Sequence, residues 1–149
     1  VQDKVRAFCL SLSNQTGLGY LNLQDFRAGS SCHQYNSDRD FKGEEMKPVF
    51  KQGSFSVTLD YLVENKMIPQ PTKIKIDVDG LEPAVVEGAM STISKAQSVL
   101  IEVNTNLETH TAMIEKMEKM GFFYNKNQVQ NSIRKQGLFQ GVSEFLFYR

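Results

Sequence analysis

The 149 residues include only two cysteines, Cys9 and Cys32. Two cysteines do not make a disulfide framework, and a reducing, cytoplasmic compartment is the expectation. Cys32 precedes His33, but no second Cys/His pair exists to complete the four ligands of a structural zinc site. Cys9 lies in an apolar run and is expected in the core. Excess charge of either sign is also lacking: 17 basic side chains balance 17 acidic ones. A neutral chain offers no electrostatic reason to bind nucleic acid or an anionic membrane surface. No apolar run approaches the ~18 residues that a membrane-spanning helix requires. The N-terminal VQDKVRAFCLSLS shows no charged region followed by a long apolar stretch, so it does not read as a signal peptide. It has no initiator methionine and begins inside a strand-like run, as expected of a fragment boundary. Repeats and low-complexity tracts are absent.

What remains is about 40% hydrophobic, enough for the core of one domain spanning 1–149. Lys4 to Leu12 reads as a strand, Gly17-Leu18-Gly19 as a turn and Tyr20 to Leu23 as a returning strand. Residues 24–53 are polar and rich in loop chemistry, and are expected to be irregular and to shape a binding site. Thr58 is a plausible N-cap for a helix carrying Leu59, Leu62 and Val63, closed by Pro69 and Pro71. Thr72 to Val78 reads as a strand, and Pro83 opens a helix running through Ala96. Ser98 to Val103 is the next strand. Thr109 to Met120 is a helix with Met113, Met117 and Met120 on one side, stopped by Gly121. Phe122 to Tyr124 and Glu144 to Tyr148 are the last strands, joined by a polar, turn-rich connection without a helix. Alternation of strand and helix implies right-handed crossovers. The expected fold class is α/β, a mostly parallel sheet with an antiparallel edge pair.

In open α/β sheets, ligands bind beyond the C-terminal ends of parallel strands. Asp77 and Asp79 end one strand, Glu82 opens the next helix, and Glu102 and Asn104 end the neighbouring strand. Such acids can bind a divalent cation or take a proton from a hydroxyl. Asp79 and Glu82 can equally serve to cap the helix that follows. Lys75 reads as a structural partner for an acid such as Glu102. An aspartate inside an apolar strand is costly to bury without a purpose, which favours a functional role for Asp77.

The run IKIDVDGLEPAVVEGA (74–89) followed by VLIEVN (99–104) resembles the signature of the FkbM-type methyltransferase family, through Lys75, Asp77, Asp79, Gly80, Glu82, Gly88, Glu102 and Asn104. VTLDYLV (57–63), RAFCLSLSNQTGLGYLNL with AGSS, and the closing EFLFYR resemble other sections of that family. The resemblance implies a seven-stranded Rossmann-like fold. It also implies methyl transfer from S-adenosylmethionine to a hydroxyl oxygen of a small molecule, such as a sugar or natural-product scaffold. The family's glycine-rich cofactor loop and ribose-binding acid have no counterpart here. Gly17-Leu18-Gly19 joins two strands and lacks the further glycine. The chain therefore matches strands three to seven, the C-terminal part of the domain, and is expected to bind S-adenosylmethionine weakly or not at all by itself. By family position, Ser11 faces the adenine. Asp77 is the first choice for the base or for orienting acceptor and cofactor. Glu102 and Asp79 follow it, and Asp77, Asp79 and Glu102 are candidate ligands of a divalent metal. Two alternatives stand beside this reading. One is a degenerate, non-catalytic interaction module. The other is a haloacid-dehalogenase-like phosphatase, which Asp77-Val78-Asp79-Gly80 resembles, although Leu81 stands where that motif carries threonine.

Overall fold

The computed structural model describes residues 4–149. Its strands form two four-stranded sheets. The first contains β1 (Ser11–Leu12), β2 (Gly17–Leu23), β3 (Gln34–Tyr35) and β4 (Phe50–Val57), in the order β1-β4-β2-β3. Only β1 and β4 run parallel there; β2 pairs antiparallel with both β4 and β3. The strand expected from Lys4 is thus two residues long, and Cys9, expected in the core, is exposed. The stretch expected to be irregular contributes β3 and the first half of β4, and β4 pairs with the full length of β2 from Gly17 opposite Ser56 to Leu23 opposite Phe50. Gly17-Leu18-Gly19 is the start of that ladder, not a turn.

Thr58 caps α1 (Leu59–Glu64) as expected, its hydroxyl accepting from the Tyr61 N–H at 3.0 Å. Strand β5 (Lys73–Ile76) follows, ending one residue before Asp77. The helix expected through Ala96 is two pieces, α2 (Glu82–Glu87) and α3 (Met90–Ile93), broken at Gly88-Ala89. Asp60 enters the break: its carboxylate accepts from Ser91 N (2.9 Å) and Thr92 N (2.7 Å), capping α3 from 31 and 32 residues away. A Cβ on Gly88 would overlap the Ser13 carbonyl, so glycine lets the β1–β2 connection lie against the helix pair.

Strand β6 (Ser98–Asn104) pairs parallel with β5, then α4 (Glu108–Lys119) runs to Gly121, whose φ of +83° ends it. Gly121 N bonds Glu118 O and Phe122 N bonds Met117 O, the two bonds of a Schellman stop. Strand β7 (Phe123–Tyr124) precedes α5 (Lys126–Ser132), a helix where the sequence led us to expect none. Strand β8 (Val142–Tyr148) inserts antiparallel between β6 and β7, giving the order β5-β6-β8-β7.

The architecture is mixed α/β, with one parallel pairing in each sheet, not a mostly parallel sheet. Alternation along the second sheet turns Ile76, Val99, Ile101, Val103, Phe145 and Phe147 inward, where Val85, Val86, Ile93, Met113 and Met117 from the helices complete the core. Among the described residues, no helix is long and apolar enough to cross a membrane.

Candidate functional site

The parallel register of β5 and β6 sets Ile76 opposite Ile101. Both are buried, so the next residues, Asp77 and Glu102, emerge together on the opposite side. Asp77 is not buried inside an apolar strand as the sequence implied. The ladder ends at Ile76, and the Asp77 side chain is 42% exposed. Lys75, two residues earlier on the same side, pairs with Asp77 at 2.9 Å rather than with Glu102. Glu102 takes Arg134 instead, also at 2.9 Å. Burial raises the Glu102 carboxyl above its ordinary range. Arg134 opposes the rise, and the charges of Asp77 and Asp79 add to it. The three acids therefore come to one end of the β5/β6 pair. Each has a different tie, however, and among the described residues no group of three His, Cys, Asp or Glu side chains is placed to hold a metal ion. The metal site expected of Asp77, Asp79 and Glu102 is not assembled.

After Asp77 the chain turns sharply. Asp79 has a φ of +53° and Gly80 of +109°, and a Cβ on Gly80 would stand 2.9 Å from Phe41 Cα. The turn is held from outside. The Asp79 carboxylate accepts from Cys32 N at 2.8 Å, and its backbone carbonyl accepts from the buried Gln34 amide at 2.7 Å. It is also held from within. Glu82 does not cap α2; its carboxylate folds back to accept from Val78 N (2.9 Å) and Gly80 N (3.0 Å). Asp79 does not cap α2 either; its carboxylate turns to Cys32 N instead.

Glu82 is only 1% exposed and faces His110 Nε2, also 1% exposed, at 3.6 Å. His110 Nδ1 accepts from Asn104 N at 3.1 Å, which assigns the ring proton to Nε2. That Nε2 has no hydrogen-bond partner. Burial pushes the Glu82 carboxyl up to about 7, against the backbone N–H groups that favour its ionised form. Burial also lowers the His110 pKa, so the ring stays neutral. Asn104 in turn donates to the Phe41 carbonyl at 3.1 Å. A buried row of polar side chains, hydrogen-bonded except across the 3.6 Å between Glu82 and His110, thus runs from the Asp79 turn through Glu82, His110 and Asn104 to the loop carrying Phe41. The sequence pointed to Glu82 and Asn104 but not to His110. The available signal was its spacing with Met113 and Met117, which places a polar residue on the apolar side of α4.

Three recesses surround this turn. One of about 390 Å³ brings Ser11, Cys32, His33 and Asp79 together against Leu12, Leu21, Val78 and Leu81. The Ser11 hydroxyl lies 3.0 Å from that of Ser54, and burial raises the pKa of the Cys32 thiol. A second, of about 10 Å³, is lined by Asp79, Glu82, Glu102, Asn104 and His110 and has roughly the room of a single water. The third and largest, about 440 Å³, lies between residues 12–18 and 35–37. Asp79 lines two of the three and Asp77 lines none.

The family model of the methyltransferase FkbM domain matches residues 13–124. No curated protein and no solved structure matches the chain. The matched span runs from the residue against Gly88 to the end of β7; it includes Asp77, Asp79, Glu82, Glu102 and His110 and leaves Ser11 just outside. With most of its length in that match, the chain belongs to the FkbM methyltransferase family.

Proposed function

We propose that the protein transfers the methyl group of S-adenosylmethionine to a hydroxyl oxygen of a small-molecule acceptor. The observation that carries this reading is the 390 Å³ recess, in which residues at the end of β1 and the turn after β5 meet. Its size is that of an ordinary small-molecule site. Its apolar walls suit a nucleoside or an alicyclic ring, and Ser11 and Asp79 add a hydroxyl and a carboxylate to them. The cofactor supplies an electrophilic methyl group when bound. The protein's share is to align the acceptor oxygen and remove its proton.

Among the acids, Asp79 fits that task best. One carboxylate oxygen accepts from Cys32 N, which fixes the group where it lines the recess. Asp77 and Glu102 stand at the same strand ends, with Asp77 as the alternative base. Ser11 is the residue we assign to the cofactor's nucleoside. Amide chemical-shift mapping with S-adenosylhomocysteine at millimolar concentration tests the location. Shifts centred on Ser11, Cys32 and Asp79 are expected, and shifts confined to other surfaces would overturn the assignment. With radiolabelled S-adenosylmethionine and a panel of hydroxylated acceptors, Asp79→Asn is expected to slow methyl transfer by about 10²- to 10⁴-fold, the usual contribution of a general base. A larger loss with Asp77→Asn would move the base to Asp77.

A further inference from the structure

We propose that the recess of about 10 Å³ holds one bound water, accepting from His110 Nε2 and donating to the carboxylates around it, and that through this water His110 is a positioning residue for Asp79. The His110 side chain is 1% exposed, and its Nε2 is a buried donor without a hydrogen-bond partner among the described residues. The Glu82 carboxylate at 3.6 Å is too far for a good hydrogen bond, and the Gly80 backbone, which faces the ring, completes none either. Folded proteins seldom leave a buried N–H unmatched, so a group that accepts from it is required.

The recess selects that group by size and by chemistry. Its volume suits a single water and no organic ligand. Phe41 and Phe139, with ring centroids 4.8 Å apart, and Val142 supply the apolar part of its wall. A wholly apolar cavity stays dry, but this wall also carries His110, Asn104 and the carboxylates of Asp79, Glu82 and Glu102. A cation does not satisfy Nε2. Asn104 N already donates to Nδ1, so Nε2 carries the ring proton and offers no lone pair. Water does both things the site asks: it accepts from Nε2 and donates to the acids.

The bond from Asn104 N at 3.1 Å fixes the ring, so Nε2 points in a set direction. On the other side of the water, Glu82 grips Val78 N and Gly80 N, which flank Asp79. The water therefore ties the end of β6 and the first turns of α4 to the turn that carries Asp79. With that turn held, the left-handed Asp79 (φ +53°) keeps its carboxylate against Cys32 N. The water site stands on His110 and the recess alone; that the positioning serves methyl transfer rests on the reading of Asp79 above.

The test begins with the unaltered chain. Long-range proton–nitrogen correlation of the histidine rings reads the tautomer of His110, and water-selective Overhauser spectra read its contact with water. A neutral ring protonated at Nε2, with a long-resident water against that proton, is expected. A proton on Nδ1, or an Nε2 proton with no water contact, would overturn the water site. Two variants then separate positioning from packing. His110→Asn keeps an acceptor for Asn104 N and removes the donor toward the recess, whereas His110→Gln keeps an amide donor there. The water contact at the Gly80 amide should be lost in the first and kept in the second. With radiolabelled S-adenosylmethionine and the acceptor panel, His110→Asn is expected to lower kcat by about 10- to 10²-fold with KM nearly unchanged, as misplacing a reacting group does, and His110→Gln to recover most of the loss. Equal losses from both variants, or a change in KM alone, would overturn the positioning role. Failure of the unaltered protein to methylate any acceptor would overturn the reading above and not the water site, which the contact at Nε2 decides by itself.

Discussion

Residues from Leu59 onward and those before it are held together by different forces. Among the described residues, every member of the main apolar cluster comes from Leu59 or later, and Leu12 is the one earlier residue packed against it. The earlier region buries Tyr35, Phe41, Met46 and Val57 outside that cluster, and fixes hydrogen-bonded polar side chains beside them. Asn22 donates to Ser37 O at 2.7 Å, Gln34 to Asp79 O at 2.7 Å and Ser56 to Gln15 O at 2.7 Å. Burying one large apolar side chain contributes about 1.5–3 kcal/mol, whereas one hydrogen bond nets about 0.5–1.5 kcal/mol. The later region is thus the rigid platform. The earlier one is a polar superstructure fastened to it at a few points, and both larger recesses open along that seam. A framework of hydrogen-bonded loops beside a packed core can vary its lining without dissolving the fold.

The difference should appear most sharply in paired truncations. Ile76 is 4% exposed at the centre of the later region, and Ile76→Ala is expected to cost about 2–5 kcal/mol. Ser56→Ala, at an equally buried polar position of the earlier region, should cost about 1 kcal/mol. Chemical denaturation of both variants measures this. Equal losses would end the contrast between the two regions, and an unchanged midpoint for Ile76→Ala would show the core to be misplaced.

The next effect is a pH dependence. The Glu82 carboxyl lies at about 7 in the folded protein against an ordinary 4.5. The folded state therefore holds a proton that the unfolded chain has released, and stability falls as pH rises from about 4.5 through about 7, by about 3 kcal/mol at most. His110 works in the opposite sense. Its pKa is lowered from 6.5, so its contribution is complete above 6.5 and is lost as pH falls below that value. Asp79, Glu102 and the Gly80 backbone face the same small cavity and belong to the same balance. Glu82→Gln removes the first slope and keeps the second, and also sets an amide against the Val78 and Gly80 N–H groups. Melting temperatures of both proteins from pH 4.5 to 8 check this. A wild-type profile that does not fall relative to that of Glu82→Gln as pH rises across that interval would contradict the assignment of Glu82.

Gly88 sharpens the comparison at the seam itself. Gly88→Ala drives a methyl group into the Ser13 backbone, which cannot rotate away, at a cost of about 1–3 kcal/mol. Hydrogen exchange should accelerate first in residues 13–17 and leave β6 and β8 protected. Uniform acceleration would mean that the two regions unfold as one unit.

The same contrast explains what the sequence revealed. Strands β5 and β6 and helix α4 were legible because their apolar residues recur with the period of a buried side, and Thr58 and Gly121 mark the start of α1 and the end of α4 by local chemistry. Strand β4, FKQGSFSV, carries no such pattern; its partner strand decides its conformation. The break between α2 and α3 depends on Asp60, remote in sequence, and α5 on the Asn125 cap with a single buried apolar residue, Val129. Within the site, the acids at the strand ends were visible. Their environments were not, because the end of a hydrogen-bond ladder decides whether Asp77 faces water or core. His110 was hidden because a histidine among methionines reads as one more core position.

Asp77 gives the smallest expected effect on stability and the most direct comparison with its neighbour in the signature. Among the described residues its only ion pair is with Lys75, whose side chain is 56% exposed. Exposed pairs of this kind contribute about 0–1 kcal/mol, since water and salt screen them and two long side chains must be ordered to form them. Asp77→Asn should therefore leave the denaturation midpoint nearly unchanged, and any small loss should vanish at high salt. Asp79→Asn replaces a carboxylate that fixes Cys32 N and supports a left-handed turn, so it should cost more, yet without unfolding the chain, because the Asp79 carbonyl and the Glu82 carboxylate still hold the turn. Two aspartates two residues apart thus separate a surface charge from a fixed one. A larger destabilisation from Asp77→Asn than from Asp79→Asn would invert that order and place Asp77 inside the polar row rather than beside it.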